Sequence, residues 1–177
     1  MLFATRSFVQ QAMKTTSRRH DSLIPLSREH HHALMLCLRI HRGLIEHDAD
    51  SNWLRLKAGH AVLFFEDSLV THFQAEEEFL FPAMLELAGA PDLVDELLAE
   101  HRTIRDLVDR LRQNEAVSLA SMLRELADTL EAHIRKEERR LFPIYEQQAS
   151  PETISRVEGG IFNLIGAAQP RHPELLD

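Results

Sequence analysis

Histidine is abundant in this chain, 11 in 177 residues, and its positions are ordered. The segment His72-Phe-Gln-Ala-Glu76-Glu77-Glu78-Phe-Leu-Phe-Pro82 recurs as His133-Ile-Arg-Lys-Glu137-Glu138-Arg-Arg-Leu-Phe-Pro143. Each copy follows a Glu-His pair, first Glu29-His30 and then Glu100-His101. Neutral imidazole supplies a nitrogen lone pair, and a carboxylate can bridge two ions, so a mixed His/Glu set suits first-row transition metals. Residues four apart on a helix share a face. His72 with Glu76, and His133 with Glu137, can therefore reach one ion or two adjacent ones. The candidate ligands are His72, Glu76, His101, His133 and Glu137, with a sixth from the consecutive run His30-His31-His32. His30 parallels His101 in following a glutamate, whereas His31 is followed by Leu34 and Leu38 at core spacing. The first is preferred and the second remains the alternative.

Such residues need long helices to bring them together. Gly (6) and Pro (7) are scarce, which favours uninterrupted helices over a turn-rich β architecture. Helical periodicity marks four long segments. The first begins after Pro25, with Ser27 as an N-cap, and runs to about His47. The second extends from near Asn52 to Ala88 and stops at Gly89. The third opens on Pro91, with Asp92 in its first turn, and reaches about Gln113. The fourth spans Ser118 to Gln148. A short fifth helix starts at Ser150-Pro151-Glu152 and is expected to stop at Gly159-Gly160, with tail beyond Gln169.

Short connections between long helices predict an all-α, up-down-up-down four-helix bundle. The expected organisation is an N-terminal extension (1–22), the bundle (23–148), and a short C-terminal helix with tail (149–177). Val94, Leu97, His101, Ile104, Val108 and Leu111 alternate three and four apart, as do Phe65, Leu69, His72, Glu76, Phe79 and Ala83. In the fourth segment Leu126, Leu130, His133, Glu137 and Ile144 form the seam. Histidine and glutamate thus stand where leucine is expected. An unpaired carboxylate in a bundle core costs several kcal/mol, a large part of a domain's net stability, and bound metal removes that cost.

The formal net charge of −8 argues against nucleic acid as a partner, since phosphates need clustered Lys and Arg. The longest apolar run, Ala33 to Leu38, is too short to span a bilayer. A single cysteine, Cys37, excludes an internal disulfide framework and suits a reducing cytoplasm. Met1 to His20 contain Arg6, Lys14, Arg18 and Arg19 but no acid, the composition of an organellar targeting peptide or of a basic tail or short extra helix. Cys37 reads as core packing and His41 as a polar neighbour. His47 and His60 lie near helix ends. Glu77, Glu78 and Glu138 step round the helix from the ligand positions, to orient the ligands or face solvent.

From Leu26 to Tyr145 the chain resembles the hemerythrin-like, or HHE cation-binding, family. A first-helix His, a second-helix His-x-x-x-Glu, a third-helix His and a fourth-helix His-x-x-x-Glu carry the likeness, reinforced by the doubled Glu-Glu-x-x-Leu-Phe-Pro. The Leu26-Ser27-Arg28-Glu29-His30 start is similar to the family's and favours His30. The resemblance implies two iron ions in an oxygen-bridged di-iron centre, other first-row divalent metals being possible. Glu76 and Glu137 would bridge, and His72, His101, His133 and the first-helix histidine would be terminal ligands. Oxygen carriers of the family have another histidine four residues after the third-helix one, where this chain has Arg105. Their last helix also uses a five-residue His-to-Asp spacing in place of His133 to Glu137. The implied role is therefore sensing or handling dioxygen, nitric oxide, an oxidant or iron itself. The alternatives are a di-metal oxidase or peroxidase and a helical interaction module with structural metals. Metal loss is expected below neutral pH, with repulsion among four protonated histidines destabilising the metal-free core.

Overall fold

The computed structural model describes residues 19–47, 50–113 and 119–166. It is built from five helical rods, with no strand among the described residues. Helix α1 (Ile24–Glu46) is entered through the 3-10 turn Asp21–Leu23. Rod α2 covers 51–85 as α-helical stretches Ser51–Phe64, Val70–Ala75 and Phe81–Leu85, joined by π turns Phe65–Leu69 and Glu76–Leu80. Helix α3 is Pro91–Arg112. Rod α4 covers 119–148, with a π turn at Glu137–Leu141 between Leu119–Lys136 and Phe142–Gln148. Helix α5 is Pro151–Ile165. None of the described helices is long and apolar enough to cross a membrane.

Local chemistry sets the boundaries. The Asp50 carboxylate accepts from the backbone N–H groups of Asn52 (2.8 Å) and Trp53 (3.3 Å), satisfying two otherwise orphaned donors at the start of α2. Gly89, at φ 80°, makes the left-handed turn between α2 and α3. The Ser150 hydroxyl accepts from Thr153 N–H at 3.2 Å and starts α5. Ser27 does not cap α1 as expected. The helix begins three residues earlier, and the Ser27 hydroxyl donates to Glu138 at 2.7 Å. Nor does Gly159-Gly160 end α5. Gly160 is buried inside that helix because Phe79 lies against it, and a Cβ there would sit 2.2 Å from the ring. The composition of 1–18, the start of α4 at Ser118 and the tail after Gln169 fall outside the described residues.

Two apolar cores establish the up-down-up-down order. One joins Leu26 near the start of α1 to Phe81 and Met84 near the end of α2, Val94 and Leu97 early in α3, and Phe142 and Tyr145 late in α4. The other joins Cys37 and Ile40, later in α1, to Ala58 of early α2, Leu111 of late α3 and Met122 of early α4. Full burial of each large apolar side chain contributes about 1.5–3 kcal/mol, so material on both sides offsets the polar layer between them. Val157 and Ile161 of α5 complete the first core.

The π turns at Glu76–Leu80 and Glu137–Leu141 have a cause in the repeated Leu-Phe-Pro. Pro82 and Pro143 lack a backbone N–H, and inside an α-helix their rings collide with the carbonyls four residues back, those of Glu78 and Arg139. Widening the turn before each proline lets the rod continue, with Phe81 N–H bonding Glu76 O and Phe142 N–H bonding Glu137 O. The inserted residue also shifts the seam. Tyr145 is buried and Ile144 only half-buried, against the expected order.

Candidate metal centre

Between the two cores lie His30, His72, Glu76, His101, His133 and Glu137, none more than 2% exposed. Helix α1 supplies His30 and leaves His31 exposed, because neighbours on a helix point about 100° apart. Rod α2 presents His72 and Glu76, α3 presents His101, and α4 presents His133 and Glu137. The four Nε2 atoms face inward in two pairs, His30 with His72 and His101 with His133, each pair 3.1 Å apart. Glu76 lies between the pairs, with Oε1 3.1 Å from His72 Nε2 and Oε2 3.3 Å from His101 Nε2. Glu137 Oε2 lies 3.1 Å from His30 Nε2 and 3.5 Å from His133 Nε2. The result is two four-residue groups, His30/His72/Glu76/Glu137 and Glu76/His101/His133/Glu137, which share both glutamates and within which one ligand atom per residue lies within 4.8 Å of the others.

A closed ring of carboxylates surrounds this layer. His72 Nδ1 meets Glu29 Oε2 at 2.8 Å, and His101 Nδ1 meets Glu77 Oε1 at 2.7 Å. His133 Nδ1 meets Glu100 Oε2 at 3.1 Å, and His30 Nδ1 meets Glu138 Oε1 at 2.8 Å. Each helix thus holds the imidazole of the next, from α1 round to α4 and back to α1. A carboxylate can only accept, so in the neutral ring it selects the Nδ1–H tautomer and leaves the Nε2 lone pair pointing inward.

That arrangement fits cations. Paired Nε2 lone pairs 3.1 Å apart repel, and all four oxygens of Glu76 and Glu137 are buried without a geometrically sound hydrogen bond. Buried charges of this kind are paired or bound to metal. Without metal, protons take the place of the ions. Burial pushes the imidazole of His72 down, but Glu76 and Glu29 outweigh it and raise its pKa to about 9. His30 and His101 rise in the same way against their burial, held by Glu137, Glu138 and Glu76, and by Glu76 and Glu77. Burial likewise pushes Glu76 up, yet His72, His101 and His30 hold it well below the usual carboxylate range. Protonated, His30, His72 and His101 sit among carboxylates, and at these three that interleaving outweighs the repulsion expected between cationic histidines.

The sequence placed Glu29 and Glu100 beside candidate ligand positions and gave them no role, and left Glu77 and Glu138 between orienting the candidate ligands and facing solvent. The doubled dipeptides Glu-His and Glu-Glu carried the signal: on a helix one member faces the axis and the other the adjacent helix. Glu78 is exposed and bonds Gln74 at 2.9 Å. Arg19 was read only as part of a basic N-terminal segment. It pairs with Glu138 and Glu146 and lies 4.7 Å from the Phe142 ring centroid. Arg105 binds Glu77 at 2.9 Å and lies over Phe73, whose ring stacks on His101 with centroids 3.7 Å apart. His41 lies away from the centre, 3.4 Å from Asp128, and His47 stacks on Trp53.

No curated protein and no solved structure shows a significant match to the chain. A sequence profile described as the hemerythrin HHE cation binding domain matches residues 24–153, most of the chain and all of this layer. With a helical bundle built around two buried His/Glu groups, the chain belongs to the hemerythrin HHE cation-binding family.

Proposed function

We propose that the bundle, residues 23–148, holds two iron ions and serves to sense or handle dioxygen, nitric oxide or iron in a reducing cytoplasm. In this reading Glu76 and Glu137 would be shared between the ions, His30 and His72 would hold one, and His101 and His133 would hold the other. The observation that carries it is the pair of four-residue groups sharing both glutamates, whose oxygens otherwise lack partners. A di-iron pair supplies reversible redox chemistry and affinity for small diatomic ligands. The chain's own residues fix where this can occur. Four outer carboxylates set the tautomer and aim of the imidazoles, and the apolar cores on either side restrict water. Phe73 packs on His101 and Phe142 stacks on His30, limiting rotation of both rings.

The test is metal analysis of protein purified without added metal, combined with visible spectroscopy under nitrogen, air and nitric oxide. About two iron ions per chain and a spectrum that changes with the gas are expected. A reproducible content of one ion or none removes the di-metal assignment. Two ions with a spectrum indifferent to every gas would assign the metals a structural role.

A further inference from the structure

The two imidazole pairs have equivalent inner partners but different outer ones. At His101 and His133 both outer carboxylates face a cation. Arg105 lies 2.9 Å from Glu77, and Lys136 Nζ lies 2.6 Å from Glu100 and 3.0 Å from Glu96. At His30 and His72 the balance is different. Arg19 pairs with Glu138, dividing its charge with Glu146. Among the described residues no Lys or Arg forms an ion pair with Glu29, whose carboxylate meets His72 Nδ1. The internal sequence echo ends here, since Ala75 stands at the position corresponding to Lys136 and brings no cation to Glu29.

An outer carboxylate strengthens the imidazole it holds as a donor by drawing on its Nδ1–H. A cation bound to that carboxylate withdraws part of the effect and adds positive charge on the outer side of the imidazole. Both consequences disfavour a divalent cation, and both act more strongly at His101 and His133. We propose that the two metal positions are therefore unequal: the His30–His72 position takes the first ion and holds it more tightly, and Lys136 and Arg105 weaken the His101–His133 position. This rests on the two-ion reading above and adds an order of loading to it. Glu29 is a positioning residue acting through His72, and Lys136 acts on the second position through Glu100.

The experiment is calorimetric titration of the metal-free full chain with Zn(II) or Co(II), comparing wild type with Glu29→Gln, Glu100→Gln and Lys136→Met. Wild type should take up two ions in resolved steps. Glu29→Gln should weaken the tighter step by roughly 10–100-fold, the range seen on loss of such outer partners. Glu100→Gln should weaken the second step. Lys136→Met, a partly exposed site where misfolding is not at issue, should tighten that second step and leave the first unchanged. Two ions bound in one step of equal affinity, or Glu29→Gln and Glu100→Gln weakening the same step, overturns the inequality while leaving the di-metal reading intact. Second-step tightening absent in Lys136→Met also overturns it. Wild type binding one ion or none defeats the underlying reading instead.

Discussion

Removing metal should invert the pH dependence of this protein's stability. In the metal-free chain the His72 pKa stands at about 9 against an unfolded value near 6.5. A group whose folded pKa is raised contributes stability that is complete below the unfolded pKa and lost as pH climbs through the folded one. The difference corresponds to about 3 kcal/mol at 1.36 kcal/mol per pKa unit, present near pH 6 and gone by about pH 10. His30 and His101 are raised too and act in the same direction. At the acid end the sign reverses. Glu76, Glu77, Glu100 and Glu138 are depressed, Glu138 to about 2, so their contributions are present above the ordinary carboxylate range and lost as pH falls. Metal-free protein should therefore be most stable near pH 5–6. Metal-loaded protein should gain stability over the same alkaline interval, because ions bind the deprotonated imidazoles. Urea denaturation at pH 5.5, 7.0, 8.5 and 9.5, with chelator and with saturating metal, measures both curves. From pH 5.5 to 9.5 the chelated protein should lose at least about 3 kcal/mol, taking His72 alone. A chelated protein that gains stability over this interval would refute the assignment of protons to the ion positions. So would parallel curves with and without metal.

The candidate ligand set was legible because it is periodic. His72, Glu76, His101, His133 and Glu137 occupy seam positions in an otherwise apolar pattern, and all five are brought together with His30. The choice between His30 and His31 needed the phase of α1, which burial of Leu26, Ala33 and Ile40 decides. Two features escaped. The prolines of the doubled Leu-Phe-Pro were noticed as a motif, but not as the cause of π turns that begin on Glu76 and Glu137. A period counted at 3.6 residues passes smoothly through such a turn, which is why Ile144 and not Tyr145 was assigned to the seam. The glycines misled in α5 because a single sequence does not reveal what approaches them. Gly160 is there for Phe79, a contact made by a residue 81 positions earlier in the chain.

Three further outcomes follow from particular contacts. Glu76→Gln removes a shared carboxylate, so metal should be lost at higher pH than in wild type. Glu78→Gln alters only an exposed hydrogen bond to Gln74 and should leave a pH titration of metal content unchanged. Cys37 is buried and its thiol is pushed up to about 12, chiefly by burial, so little thiolate exists at neutral pH. Native protein should resist iodoacetamide, monitored by mass spectrometry, and become labelled only on denaturation. The glycine pair supplies an internal control for packing. A Cβ on Gly160 would lie 2.2 Å from two carbons of the Phe79 ring, so Gly160→Ala must displace either the ring or helix α5. Overpacking of this kind costs about 1–3 kcal/mol. Gly159 has nothing within 4 Å of the same position, and alanine there gains up to about 1 kcal/mol of helix propensity. Thermal melting of the two variants should move in opposite directions from wild type, and equal shifts would show that α5 does not pack on Phe79.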